Sequence, residues 1–136
     1  MEFIINGNDC KKLSNFTSFL SSKLDMSEFA EISISFVSES EMQDLNRDYR
    51  SQDKGTDILT FTIESPVESM NMGDIYLCPS FFVDEFSLNS EEKTLYFLLS
   101  HGFLHLLGWT HDEKDSFDKM MTYQKEILQE YFAQLK

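Results

Sequence analysis

Apolar residues recur along this chain at two spacings, and each change of spacing marks a new element. Phe3-Ile4-Ile5 is a short apolar run halted by the turn-prone Asn6-Gly7-Asn8-Asp9, and reads as a first strand. Asp9 is placed to cap a helix over about residues 10–24, where Leu13, Phe16, Phe19, Leu20 and Leu24 share one face. From Glu31 to Val37 the period shortens to two. Ile32, Ile34 and Phe36 alternate with Ser33 and Ser35, the pattern of a half-buried strand. Ser38 with Glu41 forms a capping box for a second helix ending near Arg50, with Met42, Leu45 and Tyr49 as its expected buried face. A polar loop, Arg50 to Gly55, precedes the β-forming run Ile58 to Ile63. A connection carrying Pro66 then leads to a strand over Gly73 to Cys78, stopped by Pro79, and the two runs suit a long-looped hairpin.

The segment Phe81 to Phe86 predicts a short helix. Ser90-Glu91-Glu92 opens a longer one with acids in its first turn, and this helix is apolar nearly all round, so it is expected at the centre of the core. Asp112 is placed to cap a final amphipathic helix whose buried side includes Phe117, Met121, Ile127, Leu128 and Phe132. No internal boundary interrupts this order. It predicts one α+β domain over residues 1–136, with a mixed sheet of about four strands packed with helices.

All three histidines lie at the end of the central apolar helix, within Ser100 to His111. His101 and His105 are four apart, so on a helix they stand one above the other. Gly108 can end that helix in the left-handed conformation, letting the chain turn back and bring His111 toward the other two. Three converging imidazoles make a tridentate metal site with open positions, which suits one catalytic zinc ion. A lone histidine on an apolar helix is ordinarily a satisfied core residue, but three at this spacing are not explained that way. A structural zinc site normally closes with four ligands rich in cysteine, and only Cys10 and Cys78 are present, without a CxxC pair. The spacing His-x3-His-x2-Gly-x2-His is that of the metzincin proteases. Those enzymes carry a glutamate directly after the first histidine as general base. Gly102 stands there in this chain, so the ligand spacing is kept and the peptidase base is absent.

Composition narrows the partners. With 24 acidic against 11 basic residues the net charge is −13, which argues against sequence-indifferent binding along nucleic acid. Any RNA site must be local. The only two arginines, Arg47 and Arg50, lie within one helical turn of each other, with Lys54 just beyond. Two separated cysteines form no disulfide framework, and Met1-Glu2-Phe3 lacks the pattern of a signal peptide, so a cytoplasmic location is expected. The apolar runs are too short to span a bilayer, so no membrane role is expected.

The motifs resemble those of the YbeY family of metal-dependent endoribonucleases, the rRNA maturation factors. His101-Gly-x-Leu-His105-Leu-x-Gly-x-x-His111 is similar to that family's histidine block. Leu45-Asn46-Arg47-Asp48-Tyr49-Arg50 with Thr56-Asp57-Ile58-Leu59-Thr60-Phe61 is similar to its Leu-Asn-x-x-Tyr-Arg and Thr-Asp-Val-Leu-Ser-Phe blocks, and Gly73-Asp74-Ile75 to its Gly-Asp-Ile strand. The likeness spans about residues 31–125. Gly55 departs from a frequent proline, Thr60 from a frequent serine and Thr110 from a frequent aspartate. The resemblance implies zinc on His101, His105 and His111, and a phosphate-contacting arginine at Arg50. It also implies single-strand-specific endoribonuclease action in rRNA processing and ribosome quality control, with precursor rRNA and ribosomal subunit proteins as partners.

Several roles stay open at this level. Arg50 taken alone reads as a solvated surface residue, and Arg47 can touch a phosphate or pair with an acid. Thr56 and Asp57 can orient groups around the metal or simply cap a turn. Asp112 and Glu113 can act as base or merely favour a helix N-terminus. Two other functions compete, a zinc metallopeptidase and a non-catalytic ribosome-assembly factor that uses the groove for binding.

Overall fold

The computed structural model describes residues 2–6, 10–26, 31–63, 72–82, 90–109 and 114–135. In chain order the elements are β1 (Glu2–Asn6), α1 (Cys10–Lys23), β2 (Glu31–Phe36), α2 (Glu39–Arg50), β3 (Ile58–Ile63), β4 (Met72–Leu77), a 3-10 turn (Pro79–Phe81), α3 (Glu91–Leu106) and α4 (Lys114–Gln134). This is an α+β architecture. The strands line up as β1-β2-β4-β3, with β1, β2 and β4 parallel and β3 antiparallel to β4 at the edge. Parallel neighbours need a crossover, and α1 supplies it between β1 and β2. The long connection after β3 brings the chain back antiparallel beside it.

Strand alternation gives the sheet two different faces. Ile32 and Ile34 of β2 and Ile75 and Leu77 of β4 are buried in one core together with α1, α3 and α4. Their neighbours Leu59, Phe61 and Tyr76 point the other way, onto a smaller cluster with Met42 and Leu45 of α2. Helix α3 is sandwiched, with Tyr96, Phe97, Leu99, Phe103, Leu104 and Leu106 all buried. Its N-terminal half is locked by aromatic packing. Phe16 stacks on Tyr96 at 4.2 Å between centroids, and Tyr131 of α4 meets both rings edge-on.

Caps define the helix ends. Ser38 and Glu41 exchange hydrogen bonds at 3.2 Å in each direction, the capping box at the start of α2. Ser90 accepts from the Lys93 amide at the start of α3. At its far end the Gly108 amide bonds to the His105 carbonyl and the Trp109 amide to the Leu104 carbonyl, with Gly108 at φ +93. This is a Schellman turn, which only glycine enters without a steric cost.

Three local expectations are corrected. Tyr49 is 70% exposed; the buried residues of α2 are Met42 and Asn46. The last turn of α2 lies over the sheet's edge, where Tyr49 meets the Phe61 ring edge-on at 5.4 Å. Phe117 is 42% exposed, because burial along α4 begins only at Met120. The expected helix from Phe81 is instead the turn Pro79–Phe81, started by proline and ended by the extended backbone of Phe82. Residues 83–86 lie outside the described residues, as does Asp112. Among the described residues no helix is long and apolar enough to cross a membrane.

Gly73 permits the seat of α3 on the sheet. A Cβ there would run into the Leu106 side chain and stand 2.7 Å from the Phe61 carbonyl oxygen, which is backbone and cannot turn aside. Gly73→Ala is therefore expected to destabilise the fold by about 1–3 kcal/mol, the usual cost of overpacking, read as a lower urea midpoint.

Candidate metal centre

The last two turns of α3 carry His101 and His105 to the edge of the sheet. One helical turn apart, their rings stand nearly perpendicular, 82° between planes, with centroids 4.4 Å apart. The two Nε2 atoms converge to 2.9 Å. Nitrogens that share one tetrahedral zinc ion at about 2.0–2.1 Å each stand about 3.3 Å apart, so this pair lies a few tenths of an ångström from two positions of one ion. Both rings are half-buried, open on one side and backed by protein on the other. Behind His101, its Nδ1 lies 3.4 Å from Oε1 of Gln124, a buried residue of α4. The third histidine of the spacing, His111, lies outside the described residues, as do Thr110, Asp112 and Glu113. Among the described residues, no group of three His, Cys, Asp or Glu side chains assembles around a single point.

The histidines open onto a cleft of about 470 Å³ lined by Arg50, Thr56, Asp57, Ile58, Thr60, Thr62, His101 and His105. Its far wall is β3. The register sets Ile58, Thr60 and Thr62 opposite Leu77, Ile75 and Gly73, on the face that α3 covers. Asp57, just before β3, anchors that wall, since its carbonyl accepts from the Cys78 amide at 2.9 Å. Thr56 Oγ1 donates to Asp57 Oδ1 at 3.4 Å. The polar loop after α2 is held by buried Asn46, whose Nδ2 donates to the Lys54 carbonyl at 2.9 Å.

The two arginines differ sharply in surroundings. Arg47 is ringed by acids, with Asp44 at 3.0 Å, Asp48 at 3.2 Å and Asp53 at 4.0 Å. The Asp48 hydrogen bond, reinforced by the surrounding negative charge, pushes its pKa up still further. Arg50 turns to the cleft. Its Nη2 donates to the Thr60 carbonyl at 3.0 Å, and the guanidinium carbon lies 5.8 Å from the Phe61 ring centroid. One N–H anchored on an edge-strand carbonyl holds the flat group in place. A guanidinium has five N–H donors, and the fork geometry matches a phosphate or carboxylate.

Gly102 explains why no acid follows the first histidine. Its position faces the sheet, where a Cβ would stand 3.1 Å from Ile75 Cδ1, 3.2 Å from Thr60 Oγ1 and 3.4 Å from Ile58 Cδ1. The structure thus brings together His101, His105, Arg50, Thr56 and Asp57 of the residues singled out by sequence. It adds Thr60, Thr62 and Gln124. The signals for these were present: two threonines on the inward face of an edge strand, and one amide in the apolar stripe of α4.

Comparison with known proteins gives the chain's relatives. The family model described as "Endoribonuclease YbeY" matches residues 5–132. A protein of that name from Staphylococcus carnosus is 36% identical over 141 aligned residues, covering 93% of this chain and 89% of its own. Another, from Halalkalibacterium halodurans, is 40% identical over 114 residues, covering 74% of this chain and 72% of its own. The solution structure of TM1509 from Thermotoga maritima superposes with a TM-score of 0.61 at 31% identity, covering 97% of this chain and 93% of that one.

The packing at Gly102 yields a direct test. Gly102→Glu, which restores the residue that zincin proteases carry, is expected to overpack the helix–sheet contact and bury a carboxylate. The cost is about 1–3 kcal/mol or more in urea unfolding, with no gain of peptidase activity.

Proposed function

Because the chain belongs to the YbeY family, we propose that it is a zinc-dependent endoribonuclease that cuts single-stranded RNA during rRNA maturation and ribosome quality control. The observation that carries this reading is the convergence of His101 and His105 Nε2 atoms, 2.9 Å apart, in a cleft that Arg50 also lines. The residues that hold the ion are His101, His105 and His111. Zinc supplies Lewis acidity and lowers the pKa of water at such a site.

The chain's own residues bind and orient the RNA. Arg50 grips oxygens of the scissile phosphate through N–H groups other than the one spent on Thr60. Its charge counts for more because the protein is so acidic. With a net charge of −13, the long duplex-tracking mode of binding is disfavoured, and RNA is drawn in only where cations concentrate. Arg47, already matched by three aspartates, adds little attraction. The threonine hydroxyls of β3 and the Asp57 side chain make the opposite wall polar. The acidic exterior suits basic ribosomal proteins as further partners, and the absence of a disulfide framework suits the cytoplasm. A metallopeptidase reading is disfavoured by Gly102, which provides no proton acceptor and whose Cβ direction is tightly packed against Ile75, Thr60 and Ile58.

Purified protein is expected to carry one zinc per chain by elemental analysis, and a chelator is expected to abolish cleavage of single-stranded RNA until zinc is returned. His101→Ala and His105→Ala should each lose the metal; full occupancy in both sinks the metal assignment. Arg50→Lys keeps the charge but loses the fork, so single-turnover cleavage should fall roughly a hundredfold with zinc content unchanged. Wild-type rates in that variant would make Arg50 a surface residue. Zinc-dependent cleavage of an unfolded protein substrate, with RNA left intact, would favour the peptidase instead.

A further inference from the structure

Gln124 stands fully buried in the middle of the stripe Met120, Ile127, Leu128 and Tyr131 that α4 turns to the core. A primary amide in such a place must find hydrogen-bond partners, and both of its ends do. Nε2 donates to the Phe97 carbonyl of α3 at 2.9 Å. Oε1 lies 3.4 Å from His101 Nδ1. The first contact determines the sense of the second. A backbone carbonyl only accepts, so the amide nitrogen must face Phe97, and the amide oxygen is left facing His101. That oxygen also only accepts, so the proton between them belongs to Nδ1.

We propose that Gln124 is a positioning residue that holds His101 in the Nδ1–H tautomer and thereby keeps its Nε2 lone pair directed at His105. A neutral imidazole carries one N–H, so a proton on Nδ1 leaves Nε2 as an acceptor. In the metal-free pair the Nε2–H of His105 then donates across the 2.9 Å contact. On metal binding His101 needs no change of tautomer. Metal-bound histidines commonly donate their second ring N–H to a carbonyl or carboxylate, which sets ring orientation and basicity. Here the acceptor comes from a different helix, and Phe97, four residues before His101, keys the amide so that it cannot serve in the opposite sense. The inference rests on reading His101 as a metal ligand. It differs from a purely structural role, in which Gln124 would only staple α4 to α3 through Phe97.

The test uses the full chain and two readouts. Nitrogen NMR of the histidine rings reports the tautomer in metal-free protein, and competition with a chromophoric chelator reports zinc affinity. In the wild type, His101 should carry its proton on Nδ1; finding it on Nε2 overturns the proposal without any variant. Gln124→Met keeps length and bulk but removes the acceptor, and should lose the Nδ1–H preference and weaken zinc binding about 10–100-fold. Gln124→Glu keeps an oxygen that accepts from His101 Nδ1–H, and should bind zinc within a few-fold of wild type. A folded Gln124→Met that keeps both tautomer and affinity overturns the proposal, as does a Gln124→Glu as weak as Gln124→Met. If the wild type bound no zinc, the functional reading would fail, while the tautomer measurement would still decide what Gln124 does to His101.

Discussion

The site depends on how closely α3 lies on β3 and β4. A helix that is buried on nearly every side can approach a sheet this closely only where side chains are missing, and Gly73 and Gly102 supply the two gaps. Gly73 admits the Leu106 side chain from the last turn of α3. Gly102 lets the preceding turn settle against Ile58, Thr60 and Ile75. With the helix seated there, His101 and His105 stand beside the edge strand and above its threonines.

Burial of α3 brings a second requirement, because polar groups go into the core with it. Thr94 and Ser100 are bonded to the preceding turn. Thr94 Oγ1 donates to the Ser90 carbonyl and Ser100 Oγ to the Tyr96 carbonyl, both at 2.9 Å. Gln124 crosses from α4 to satisfy itself on Phe97 and to meet His101. Among the described residues, no buried side-chain nitrogen or oxygen lacks a partner. A half-satisfied network would cost more than an apolar core, so the two Gln124 bonds favour one register of α4 on α3. The same bonds hold one ring of the proposed metal centre, so packing order and site geometry are set by one set of contacts.

Electrostatics separates two arginines that lie one helical turn apart. Arg47 sits where the acidic surface reaches it on several sides. Arg50 comes at the last residue of α2, where Ser51 at φ 57 turns the chain away and the sheet edge offers a carbonyl. The contrast gives an acidic protein a well-placed cation in the cleft, Arg50 being the one Lys or Arg among its described lining residues. In the proposed reaction this confines RNA to the one place where chemistry can occur.

Much of this was legible in the chain because it is local. The periods of two and 3.6 predicted β2 and α1 nearly to the residue, a β-forming run predicted β3 and an apolar segment behind acids predicted α3, and the capping box and Gly108 marked helix ends through bonds spanning only a few positions. The spacing of His101 and His105 put them on one helix face for the same reason. Tyr49 and Phe117 misled because an apolar periodicity says which side of a helix is apolar, not how far along it the core extends. Only the tertiary structure brought Arg50, Thr60 and His101 to one cleft, since a strand's edge position and a helix's seat are settled by pairing and packing between distant segments. It alone gave Gln124 a partner 23 residues away in sequence. The sequence by itself determined which local elements form and which residue types can do chemistry; the packing of α3 and α4 on the sheet decided which of them meet, because contacts between separate segments carry no period to read.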